Sequence, residues 1–154
     1  MIERATLGTL VASYRMASIA ALGMANAEPL NEDGERGAII FTSSAAAQDG
    51  QIGQVAYAGP KAGVNGMVLP MARDLMDYGI RVNSIMPGIF ATPPMLRVKE
   101  HAPEVFENLG KSVPFPKRLG NPEEFGSLVA EVARNTYFNG QAVRLDGAIR
   151  MPPK

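Results

Sequence analysis

The chain contains no cysteine and only one histidine among its 154 residues. Without cysteine there can be no disulfide, no thiolate metal site and no cysteine nucleophile. With a single histidine, a metal centre would need a cluster of carboxylates, and no such cluster is present, so no metal is expected. A charge excess is also missing. Fifteen Lys and Arg balance fifteen Asp and Glu, which leaves no electrostatic footprint for nucleic acid or an anionic membrane. Long apolar runs are scarce. Residues 7–27 come nearest, yet they include Tyr14, Arg15, Asn26 and several Ser and Thr. A membrane span needs about 20 predominantly apolar residues, and this stretch is too polar for one. Glu3 and Arg4 do not make the basic start of a secretory signal. The stretch reads as a buried or subunit-facing helix rich in Ala and Met, and the expected location is cytoplasmic.

What is present alternates between helix and strand, the pattern of an α/β layered fold, and the length fits one domain, residues 1–154. A first helix is expected over about 6–27, ended by the turn-rich stretch from Glu28 to Gly37. Ala38-Ile39-Ile40-Phe41-Thr42 is a short apolar run bounded by Gly37 and Ser43-Ser44, which suits a strand covered on both faces of a parallel sheet. From about Gln54 to Tyr78 the apolar residues Val64, Met67, Val68, Met71 and Leu75 recur at helical spacing, and Gly79 is a plausible stop. Residues 80–86 then alternate as a strand ended by Pro87-Gly88. The proline-rich segment 88–120 is expected to be mainly loop, with one short helix near 103–110. Asn121 caps a further helix with Pro122 at its first position, and Ala142–Leu145 is the last strand.

Chemistry concentrates at Tyr57-Ala58-Gly59-Pro60-Lys61. A four-residue separation puts the Tyr57 and Lys61 side chains on one helix face, about 5–6 Å apart at Cβ. A free phenol, with a pKa of about 10, is a poor base near neutrality. A neighbouring ammonium favours its ionised form and equips it to exchange a proton with a hydroxyl or carbonyl. Such a pair is common on solvated helix faces, so its surroundings decide its meaning. Ser44 lies thirteen residues before Tyr57, just beyond the carboxyl end of the first strand. Ligands of open α/β sheets bind at that end. A serine hydroxyl there can bond the substrate oxygen that Tyr57 protonates. Pro87-Gly88 ends the next strand, with Thr92 four residues beyond Gly88.

In this order the residues resemble the short-chain dehydrogenase/reductase family, from about Gly8 to Lys154. Four stretches are similar to its type-2 3-hydroxyacyl-CoA dehydrogenase group in particular: Gly50–Tyr57, Leu69–Leu75, Val113–Gly120 and Arg144–Met151. The resemblance implies the C-terminal portion of a Rossmann-type doubly wound parallel sheet, with the N-terminal nucleotide-binding strands missing. It implies Ser44, Tyr57 and Lys61 as catalytic residues, with Ser44 the oxygen donor, Tyr57 the acid/base and Lys61 holding the nicotinamide ribose. Pro87, Gly88, Phe90 and Thr92 would complete the nicotinamide end of the cofactor site, and residues 88–120 the substrate-binding region. It further implies NAD as cofactor, with NADP still open, an acyl-CoA substrate and a dimer or tetramer.

The chain departs from the family pattern in three places. No glycine-rich Gly-x-x-x-Gly-x-Gly turn precedes the first helix, since the sequence begins inside what resembles the family's fourth helix. The family's catalytic asparagine should fall near Ala5, and no asparagine occurs before Asn26. Pro60 would kink its helix if it lay beyond the first turn. Without neighbouring strands, an exposed sheet edge or apolar surface is expected, one that another chain would cover. These departures support an alternative, a non-catalytic remnant acting as an oligomeric or partner-binding protein. His101 reads as a surface residue and Asp146 as a structural one.

Overall fold

The computed structural model describes residues 1–153; Lys154, the last residue of the matching stretch, lies outside them. Three strands form one parallel sheet in the order β1-β2-β3: β1 (Gly37–Thr42), β2 (Ile80–Pro87) and β3 (Ala142–Leu145). Gly37 to Thr42 pair in register with Ile80 to Ile85, and Ser84 to Pro87 with Ala142 to Leu145. Parallel strands need helical crossovers, which cover both faces of the sheet. On one face, Ile39, Phe41, Ile80 and Val82 form a core with Ala17 and Ala21 of α2 (Ala12–Ala25) and with Val64, Val68 and Ala72 of α4 (Val55–Asp74). Val64 and Val68 are 1% exposed, and full burial of such a side chain stabilises by about 1.5–3 kcal/mol. On the other face lies α7 (Pro122–Arg134), whose C-terminal carbonyls accept hydrogen bonds from Arg81.

The first helix is continuous from Ile2 to Ala25, comprising α1 (Ile2–Thr6), a π-helical turn at Leu7–Val11, and α2. By length and composition alone it contains a stretch apolar enough to cross a membrane, contrary to the polarity read from its sequence. Ala17 and Ala21 nevertheless pack in the core, while Tyr14, Met16, Ile19 and Leu22 are exposed. The helix after β1 was expected to run to Tyr78. Instead α4 ends at Asp74, and a separate 3-10 turn, Met76–Tyr78, leads to Gly79. Gly79 does stop it, at φ +65°, and a Cβ there would clash with the Gly34 carbonyl oxygen. Pro60 sits beyond the first turn of α4, and the helix continues through both it and Pro70.

The alternation in β2 does not mark a half-exposed strand, because Ile80 to Met86 are all buried. Its polar members are satisfied instead: Asn83 Nδ2 donates to Phe138 O at 2.8 Å, and Ser84 Oγ donates to Asn65 Oδ1 at 2.9 Å. Segment 88–120 is more helical than expected. It contains α5 (Pro93–His101) and α6 (Pro103–Ser112), with Pro93 and Pro103 at their first positions. A short helix, α3 (Ala46–Asp49), follows β1 and was not anticipated. Among the described residues, β1 pairs with β2 alone, so its other edge is free, and an open groove between β1 and the N-terminal helix is lined by Met16, Ala20, Met24, Ile39 and Phe41.

Candidate active site

The carboxyl ends of β1 and β2 hold the candidate site. Beyond Thr42 the two segments stay joined, with Ser43 N donating to Ile85 O at 2.8 Å and Ala45 N to Pro87 O at 2.9 Å. Ser44 therefore sits where the chain turns off the sheet into α3. Its Oγ accepts a hydrogen bond from Ala46 N at 3.1 Å, so its own O–H is left to donate outward. The residue is 7% exposed.

Helix α4 begins just before Tyr57, so that Tyr57 falls in its first turn and Lys61 one turn on. Two bonds dock this part of α4 against the end of β1: Ser43 Oγ donates to Lys61 O at 2.8 Å, and Lys61 Nζ donates to Thr42 O at 2.9 Å. The Lys61 nitrogen lies 5.9 Å from the centroid of the Tyr57 ring, at the outer range of a cation–π contact. Burial pushes the Lys61 ammonium below the usual lysine range, because leaving water disfavours its charge. Tyr57 is half-exposed.

Ser44, Tyr57, Pro87, Gly88, Phe90 and Thr92 all line one cavity of about 440 Å³. Lys61 does not reach its wall, since its Nζ is turned toward Thr42. Gly88 lies where β2 meets the turn after β3: a Cβ at that position would lie 2.7 Å from Asp146 Cβ. Phe90 is held by an edge-on contact with Phe125 of α7, with centroids 6.0 Å apart and planes at 83°. It also lies against Gly120, where a Cβ would meet the ring at 2.7 Å. Thr92 is the residue before α5. Gln54, Met95, Phe125 and Met151 share the cavity but had no sequence signal, since they come from four separate segments.

The cavity combines the hydroxyls of Thr42, Ser44, Tyr57 and Thr92 and the Gln54 amide with apolar side chains, the mix of a few polar groups on an apolar wall that small-molecule sites use. Among the described residues, no group of three or more His, Cys, Asp or Glu could hold a metal. His101 is exposed, with Nδ1 2.8 Å from Arg97 O. Asp146 accepts from Arg144 Nε at 2.6 Å and from Ala148 N at 3.0 Å.

The family model described as enoyl-(acyl carrier protein) reductase matches residues 12–149. The chain is 50% identical to the 3-hydroxyacyl-CoA dehydrogenase type-2 of Drosophila melanogaster over 85% of this chain and 50% of that protein. It is 46% identical to the Homo sapiens protein of that name over 94% of this chain and 54% of the other. A crystal structure of 3-hydroxyacyl-CoA dehydrogenase type-2 from Mycobacterium avium superposes with a TM-score of 0.92 at 44% identity, covering 99% of this chain and 57% of that one. The chain thus spans about half the length of the curated relatives it matches.

Proposed function

This chain belongs to the short-chain dehydrogenase/reductase family, a family of oxidoreductases, and on that premise we propose that its site interconverts a secondary alcohol and a ketone, with a 3-hydroxyacyl-CoA as substrate and NAD as cofactor. The observation that carries this reading is the meeting of Ser44 and Tyr57 on one cavity at the carboxyl ends of β1 and β2.

When bound, the nicotinamide supplies or accepts the hydride. Tyr57 delivers a proton to the substrate carbonyl oxygen in reduction and takes it back in oxidation. Ser44 donates its free O–H to that same oxygen, holding it and offsetting its developing charge. The Lys61 ammonium, beside the Tyr57 ring, offsets the negative charge that the phenol gains on losing its proton. Lys61 would also be the residue to hold the nicotinamide ribose. Pro87, Gly88, Phe90 and Thr92 would hold the nicotinamide, and segment 88–120 would cover the substrate. NAD rather than NADP rests on likeness to the type-2 relatives, and parallel titrations with NADH and NADPH separate the two.

Tyr57→Phe should abolish acetoacetyl-CoA reduction, by at least 100-fold, with an unchanged circular dichroism spectrum. Turnover within a few-fold of wild type would refute the assignment. The free edge of β1 favours a second reading, a non-catalytic protein that covers this edge with another chain. A folded chain that fails to bind NADH in calorimetry selects that second reading.

A further inference from the structure

The C-terminal residues 149–153 run across the loop that leads into α4. Met151 N donates to Asp49 Oδ2 at 3.3 Å, Ile52 N to Pro153 O at 3.0 Å, and Gln51 Nε2 to Pro152 O at 3.1 Å. Asp49 is itself gripped by the Arg144 guanidinium, which donates to both carboxylate oxygens at 2.6 and 2.8 Å and to Ile149 O at 3.0 Å. The Arg144 and Asp49 side chains are 14% and 15% exposed, so this fork is largely shielded from competing water. The clasped loop ends at Gln54, whose carbonyl accepts from Tyr57 N at 2.9 Å and Ala58 N at 2.7 Å. One set of bonds thus joins the tail, the loop and the first turn of α4. Met151, fastened in this way, contributes to the wall of the cavity that also contains Ser44 and Tyr57.

We propose that Met151 is a specificity-determining residue whose side chain limits the size of the acyl group the cavity accepts, and that Arg144 and Asp49 are positioning residues that fix this wall. The inference rests on the proposed function, since it assigns the part of the cavity beside Ser44, Tyr57 and Met151 to a 3-oxoacyl thioester. A thioether is bulky but unbranched, so only a fixed backbone lets it exclude larger groups, and the Arg144–Asp49 fork supplies that fixity. Truncation to Ala opens the wall, while loss of the fork lets it move.

The test compares acetoacetyl-CoA with 3-oxooctanoyl-CoA, measuring turnover and calorimetric binding with NADH present. Met151→Ala should raise the ratio of kcat/KM for the longer over the shorter thioester by about tenfold, the scale at which apolar pockets discriminate size. Arg144→Ala should shift the ratio in the same direction, chiefly through KM, and Arg144→Lys should restore part of the selectivity. A purely structural role would lower both substrates alike and leave the ratio unmoved. A folded Met151→Ala chain with an unchanged ratio overturns the inference and leaves the proposed function standing. A folded wild-type chain that neither turns over nor binds either thioester overturns both.

Discussion

Each end of the parallel sheet is organised around one arginine, buried at the amino end and part-buried at the carboxyl end, and the two are partnered differently. At the amino end, Arg81 of β2 donates to Glu35 at 2.7 and 2.9 Å, and to the carbonyls of Val132, Ala133 and Phe138 at 2.8–2.9 Å. Those carbonyls lie at and beyond the C-terminus of α7, where a helix leaves its last C=O groups unpaired. Arg81 thus caps a helix and joins it to the sheet. At the carboxyl end, Arg144 of β3 spends its donors on Asp49, Asp146, Gln48 and Ile149 O. Its partners are a short helix, a turn and a tail, and that helix and tail contribute Ala46 and Met151 to the candidate cavity. Similar chemistry therefore stabilises the fold at one end and shapes a site at the other.

Removing each arginine should separate these two roles. Arg81→Ala leaves Glu35, whose side chain is 13% exposed, without its cation, and strands the α7 carbonyls. Breaking such a buried pair costs about 3–5 kcal/mol, which should appear as a large drop in the urea midpoint. Replacing Glu35 with Gln as well should recover only part of the loss, because the stranded carbonyls remain. Full recovery would mean that the cap contributes nothing. Arg144→Ala should cost less, about 2 kcal/mol, the scale of hydrogen bonds to a charged group, since water reaches the rim once the guanidinium is gone. Its main signature should be local: faster amide exchange at Ile52 and Met151, with the β2 amides still protected. Equal loss of protection at both ends would break the distinction.

This division was only half legible in the sequence. The apolar run of β1, the alternation of β2, the Gly79 stop and the Asn121-Pro122 helix start depend on neighbouring residues, and the structure has them near the expected positions. Asn121 and Glu124 even form a reciprocal capping box. The prolines of 88–120 misled because the same residue that breaks a helix interior is favoured at its first position, where Pro93 and Pro103 lie. Helix α3 is too short to leave a periodic signal. The Tyr57–Lys61 spacing correctly gives a shared helix face, but it could not reveal that the flexible lysine stem ends on Thr42 O. Met151 and Asp49 are separated by 102 residues, and no local pattern announces a contact of that range.

The smallest effect tests the comparison at its finest point, through pH. Hydrogen bonds and charge from Arg144, with a further bond from Met151 N, hold the Asp49 carboxyl below the usual carboxylate range. With the folded pKa below the unfolded one, the unfolded chain binds more protons in acid, so stability from this group rises with pH. Its contribution is complete above the ordinary carboxylate value of about 4 and is lost as pH falls through the lowered folded value. The tail should therefore stay clasped at pH 5 and loosen only in stronger acid, read as amide exchange at Ile52. Asp49→Asn should remove that acid-dependent step and weaken the clasp at neutral pH, because an amide cannot answer the guanidinium with charge. Other carboxylates also titrate in this range, so the informative quantity is the difference between wild type and Asp49→Asn across pH 2–5. A flat difference would mean that Arg144 holds the rim through Asp146, Gln48 and Ile149 O without Asp49, and the contrast with Arg81 would then reduce to location.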